Sequence, residues 1–114
     1  MNDIKLMNKA ADNIRILAAS MVEKAKSGHP GGAMGGADFV NVLFSEFLVY
    51  DPKNPAWEGR DRYFQDPGHM SPMLYSVLAL AGKFTIDELK EFRQWGSVTP
   101  GHPEVNVMRG IENT

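Results

Sequence analysis

The sequence predicts an α/β chain that is mostly helical and carries one short strand. Helical apolar stripes recur four times along the 114 residues. Only Asp61-Arg62-Tyr63-Phe64-Gln65 reads as a strand, and Asp66-Pro67-Gly68 breaks it. A single strand cannot make a sheet. Either Tyr63 and Phe64 pack as irregular structure in a helical domain, or the partner strands lie in sequence outside residues 1–114. The loop-like stretch from Gly96 to Thr114 favours the second reading, a partial domain, because long structureless loops are uncommon in complete ones.

The first helix should run from residue 3 to about 26. Its stripe is Met7, Ala10, Ala11, Ile14, Leu17, Ala18, Met21, Val22 and Ala25, with Asp3 as cap, Lys24 and Lys26 at the negative end of the dipole and Gly28 as the stop. His29-Pro30-Gly31-Gly32-Ala33-Met34-Gly35-Gly36 follows, with too much glycine for a comfortable free-standing helix. Asp38 to Leu48 is apolar on most sides, which predicts a helix buried on several faces. Asp51-Pro52-Lys53-Asn54-Pro55 is a turn. Met70 to Leu80 reads as a third helix ending at Gly82, and Thr85-Ile86-Asp87-Glu88 is a capping box opening a fourth, to about Phe92 or Gln94.

Composition excludes several function classes. Twelve basic against fourteen acidic side chains leave a net charge of −2, with no basic excess to attract nucleic acid or membrane surfaces. Cysteine is absent, which excludes disulfides, thiolate metal sites and a cysteine nucleophile, and fits a reducing cytoplasm. Residues 1–5 lack the basic-then-apolar pattern of a signal, and no apolar run approaches the roughly 20 residues that cross a bilayer. A soluble cytoplasmic location is the expectation.

Every histidine follows a glycine: Gly28-His29, Gly68-His69 and Gly101-His102. Each pair stands at a break between elements, where the backbone is free to approach a ligand and the imidazole can donate, accept or carry a proton. Read together they suggest one polar site. A three-histidine zinc centre is a rival, but no two histidines are four residues apart and no His-Glu-x-x-His motif is present. The Gly31 to Gly36 stretch lacks the Lys-Ser/Thr of a phosphate loop, so close helix packing is the better reading, at least for Gly35 and Gly36. Met7, Met21 and Met73 read as core filling. Trp57 and Trp95 flank loops and could pack against further sequence.

In order along the chain, these segments resemble the N-terminal region of transketolase. The matching pieces are Ser27-Gly28-His29-Pro30-Gly31, Asp51-Pro52-Lys53-Asn54-Pro55 with Trp57, Arg60-Asp61-Arg62-Tyr63, Gly68-His69 with Leu74-Tyr75-Ser76, Glu88-Leu89-Lys90, Phe92-Arg93-Gln94, and Thr99-Pro100-Gly101-His102-Pro103-Glu104. Gly31-Gly32 and Pro72-Met73-Leu74-Tyr75 look like the N-terminal subunits of two-chain transketolases. The resemblance implies the N-terminal piece of a three-layer thiamine-diphosphate-binding domain. Its family chemistry transfers a two-carbon ketol unit from a ketose phosphate to an aldose phosphate, in the pentose phosphate pathway. It also implies thiamine diphosphate with Mg2+ or Ca2+ in the complete enzyme, a homodimer, and a C-terminal part or subunit as partner.

By the same resemblance His29 and His102 would be catalytic, hydrogen-bonding the sugar near its reacting carbonyl and hydroxyls, and His69 would lie by the cofactor and its diphosphate. No metal ligand is assigned to residues 1–114, because the family's Gly-Asp-Gly…Asn motif and its activating glutamate have no counterpart there. The chain alone is therefore expected to be catalytically incomplete and to bind no cofactor tightly. Asp66-Pro67 and Met70 depart from the family pattern around His69. Two alternatives stand beside this reading: a noncatalytic helical interaction module on the same scaffold, and part of a deoxyxylulose-phosphate synthase, suggested by Asp66-Pro67-Gly68-His69.

Overall fold

Helix α1 forms where the long amphipathic stripe predicts it. In the computed structural model, which describes residues 2–114, α1 spans Ile4–Ala25, and the Asp3 side chain accepts from the Lys5 amide at its start. Ala11, Ile14, Ala18 and Met21 are buried, three or four residues apart, so one face of α1 meets the core. The helix ends before Gly28: Lys26 takes the left-handed conformation at φ 53, with its amide on the Val22 and Glu23 carbonyls. Gly28 then turns the chain away at φ 121.

The glycine-rich segment is a helix after all. α2 spans Pro30–Gly35, with proline in its first turn, where no intrahelical donor is needed. Contact with α1 and α4 overrides its poor propensity. Ala33 is fully buried. A Cβ on Gly32 would stand 2.9 Å from Met70 Cγ, and one on Gly36 2.6 Å from Met73 Sδ. Close packing thus belongs to Gly32 and Gly36, while Gly35 faces open space. Met70 fits against the bare surface of Gly32.

α3 spans Ala37–Val42 and passes into a π-helical turn, Leu43–Phe47, closed by the Leu48 amide on the Leu43 carbonyl at 2.8 Å. The expected burial on several faces is not found. Val40 and Phe44 enter the core, but Phe39 and Phe47 are 65% and 70% exposed, because the other helices that pack on α3 cover one side of it.

A short 3-10 turn, Gly68–Met70, leads into α4, Ser71–Leu80, the central helix. Residues Ser71 to Leu78 are all buried. α5, Ile86–Lys90, starts with the capping box: Glu88's amide donates to Thr85 Oγ1 and Thr85's amide to Glu88 Oε1. It ends earlier than the sequence predicts, with turns carrying the chain on to Phe92.

The strand over 61–65 does not form, and among the described residues the only β pairing is an isolated antiparallel bridge between Asn106 and Ile111. The backbone groups of this segment bond elsewhere. Asp61's amide donates to the Val49 carbonyl, and Asn113's side chain takes both the amide and the carbonyl of Gln65. Tyr63 sets its ring edge-on to Phe44, centroids 5.3 Å apart. The tail is irregular yet pinned: Ile111 is buried, Glu112 forms a two-pronged pair with Arg60, and Arg109 Nη2 reaches Glu88 Oε2 at 2.6 Å. No helix among the described residues is long and apolar enough to cross a membrane.

The Arg109 contact makes stability acid-sensitive. It holds the Glu88 carboxyl at about 2, helped by the Thr85 amide. Because that value lies below the unfolded one, the stabilisation is complete above the ordinary carboxylate range and is lost as pH falls towards about 2. Arg109→Ala should lower stability at neutral pH and flatten its fall below pH ~4, since a less depressed carboxyl has less to lose. Urea unfolding as a function of pH measures both.

Candidate functional site

Three loop-borne histidines converge because Gly68 and Gly101 leave room for a neighbour and Gly28 lets the chain turn. His29 caps α2 from an extended backbone, at φ −128 and ψ 108. His69 lies in the 3-10 turn before α4, and His102 in the loop after α5. The His29 and His69 rings meet edge to face with centroids 4.7 Å apart. A Cβ on Gly68 would stand 2.8 Å from His102 Nδ1, so the His102 imidazole rests on the bare backbone beside His69. His29 and His102 are exposed and His69 is half-buried, which puts all three on one open face.

The His102 loop is anchored from the core. Ser71 Oγ donates to the Gly101 carbonyl and Tyr75 Oη to the Pro100 carbonyl, each at 2.6 Å. These residues are one turn apart on α4, so both hydroxyls lie on the same side of the helix. Burial, with Glu104 nearby, pushes the Tyr75 hydroxyl far up from its ordinary value and keeps it a proton donor. Thr99 Oγ1 donates to the Glu88 carbonyl and fixes the loop's other end to α5.

Arg93 spans the His29 and His102 loops. Its Nη1 donates to Ser27 Oγ at 2.9 Å, and its Nε stands 2.8 Å from where a Cβ on Gly101 would be. Arg93 and Tyr75 enter the sequence reading only as motif members, and Ser71 does not enter it. A readable signal existed for Ser71 and Tyr75: hydroxyls four residues apart in a mostly apolar helix.

Chemically, the face offers three imidazoles that can donate, accept or shuttle protons to a polar ligand. Among the described residues no group of three His, Cys, Asp or Glu side chains is placed to hold a metal ion. Beside the face lies an open depression lined by Ser27, Arg93, Gln94, Ser97, Gly101 and His102, with Trp95 fully exposed at its edge.

Two of these glycines should respond differently to a methyl group. Gly28→Ala is strained at φ 121 and also presses on Phe92 and Val22 in or near the core, so it should cost about 1–3 kcal/mol. Gly68→Ala meets only the end of an exposed imidazole and should cost about 0.5 kcal/mol or less while displacing His102. Chemical denaturation reads the first effect, and imidazole NMR shifts read the second.

Comparison with known proteins places this geometry. The family described as "Transketolase, thiamine diphosphate binding domain" matches residues 6–114. The transketolase of Buchnera aphidicola is 52% identical over 110 residues, covering 96% of this chain and 16% of that protein. The crystal structure of Campylobacter jejuni transketolase superposes with a TM-score of 0.87 at 46% identity, covering 96% of this chain and 17% of that one. A Pichia stipitis transketolase in complex with sedoheptulose-7-phosphate gives a TM-score of 0.87 at 42% identity, covering 92% of this chain and 16% of that one. The chain thus spans about a sixth of the length of these relatives. With its family matched over nearly all its residues and its fold shared with solved members, the chain belongs to the transketolase thiamine diphosphate binding domain family.

Proposed function

We propose that this chain provides the histidine-bearing wall of a thiamine-diphosphate-dependent ketol-transfer site, and that the rest of the site comes from residues outside 1–114. The observation that carries the reading is the convergence of His29, His69 and His102 on one face of a fold shared with transketolases. The imidazole set fits an oxygen-rich ligand, and the bare backbone of Gly68 and Gly101 lets that ligand and its neighbours come close. The same residues do not fit the divalent ion, since no ligand group for it exists among the described residues.

When bound, thiamine diphosphate supplies the carbanion chemistry that side chains cannot. His69, the least exposed of the three imidazoles, would lie by the cofactor and its diphosphate. His29 and His102 hydrogen-bond the sugar's carbonyl and hydroxyls and carry protons to and from those oxygens. Their exposed positions leave both rings reachable by substrate. Sugar phosphates are the proposed substrates, supported by the Pichia stipitis relative solved with sedoheptulose-7-phosphate.

The remaining length of a transketolase, and a second copy, are the proposed partners, in the cytoplasm. Exposed Phe39, Phe47, Phe64 and Trp95 give them apolar surface to cover. The same surface supports the second reading, a noncatalytic interaction module.

One experiment separates the two. The 114 residues replace the corresponding region of the Campylobacter jejuni enzyme, and ketol transfer is assayed for the isolated chain, the chimaera and its histidine variants. The isolated chain should be inactive and the chimaera active. His29→Ala or His102→Ala in the chimaera should lower kcat/KM by about 10²–10⁴-fold. A chimaera whose activity is indifferent to both substitutions contradicts the catalytic reading.

A further inference from the structure

We infer that Arg93 is a positioning residue that clamps the His29 and His102 loops to one another, so that the two imidazoles move as a unit. The inference rests on the reading of these histidines as site residues. Four independent features meet at this side chain.

First, Arg93 is in the left-handed region at φ 61, where residues with a Cβ are uncommon. Its amide is held there by the Thr99 carbonyl at 3.0 Å. Such a conformation persists only where the surroundings over-determine it, which makes it a pointer to a local role. Second, the guanidinium reaches across 66 positions of sequence to Ser27, the residue before Gly28-His29.

Third, the other side of the guanidinium fills the space a side chain at position 101 would need. Nε, Cζ and Nη2 all lie within 3.3 Å of the point where a Gly101 Cβ would stand, and Nε lies 3.6 Å from the equivalent point on Gly28. The two glycines therefore share one neighbour. Fourth, Nε is buried and finds no acceptor among the described residues, while Cζ sits 5.6 Å from the centroid of the Phe92 ring. A buried donor without an acceptor is costly. The side chain keeps this place at that cost, inserted between two glycine backbones with the Phe92 ring beside it.

His29 and His102 are far apart in sequence and borne on separate loops, and each is exposed. The His69 ring and the Gly68 backbone already join the two imidazoles on one side. On the other side a planar, always-charged fork packed against both loop backbones couples them directly, which a flexible ammonium does not do as well.

The test uses the 114-residue chain and NMR, without cofactor. Arg93→Gly deletes the guanidinium yet accepts the left-handed backbone, so the fold should persist, as judged by unchanged core methyl signals of Ile14 and Leu74. Ser27→Ala removes only the hydroxyl on the His29 side. In the wild-type background Ser27→Ala should shift the amides of Gly101 and His102 as well as those of Gly28 and His29. In the Arg93→Gly background its effect at Gly101 and His102 should fall several-fold, and added guanidinium ion should restore part of it. A Ser27→Ala response confined to the His29 loop in wild type, or one reaching His102 equally without Arg93, overturns the clamp. Because this readout needs no activity, its failure is separable from a failure of the ketol-transfer reading, which rests on the chimaera assay.

Discussion

Ser71 and Tyr75 project from the buried helix α4 and hold the carbonyls of Gly101 and Pro100 at 2.6 Å. The rest of the candidate site depends on this pair. α4 is surrounded by the core, so its hydroxyls are fixed points, and the loop they hold carries His102 to Gly68. Gly68 in turn begins the turn that leads into α4. The chain thus folds back on α4, and two histidines separated by α4, α5 and their loops end up adjacent. A buried hydroxyl without its partner is costly, so the pair also specifies where the loop must go.

Glycine does the complementary work. The hydroxyls pull the loop inward, and the absence of side chains at Gly68 and Gly101 lets it arrive. At Gly28 the requirement is different, a backbone conformation at φ 121 that few other residues accept. The repeated Gly-His pair therefore has two physical origins. Gly68 and Gly101 are bare to admit an imidazole and a guanidinium, and Gly28 is bare to let the chain turn.

Much of this was legible in the sequence where the signal is local. The α1 stripe and the Thr85 capping box need only neighbours in the chain, and both form as read. What failed was decided at long range. α2 looks unfit for a helix until Met70 and Met73 are seen filling the surfaces of Gly32 and Gly36. Residues 61–65 have a strand's composition, but Val49 and the side chain of Asn113 take up their backbone groups. In the site, the histidines announced themselves through their glycines. Arg93 did not, because nothing in the sequence shows that residue 93 meets residues 27 and 101. Its left-handed backbone is also invisible in an arginine.

This chain by itself brings the three imidazoles to one face. Proton NOE measurements on the isolated 114-residue chain should show cross-peaks between the His29 and His69 rings, and between the His102 ring and the Gly68 α-protons. A folded chain, with its Tyr75–Phe84 core contacts present but both sets of histidine cross-peaks missing, would contradict that convergence.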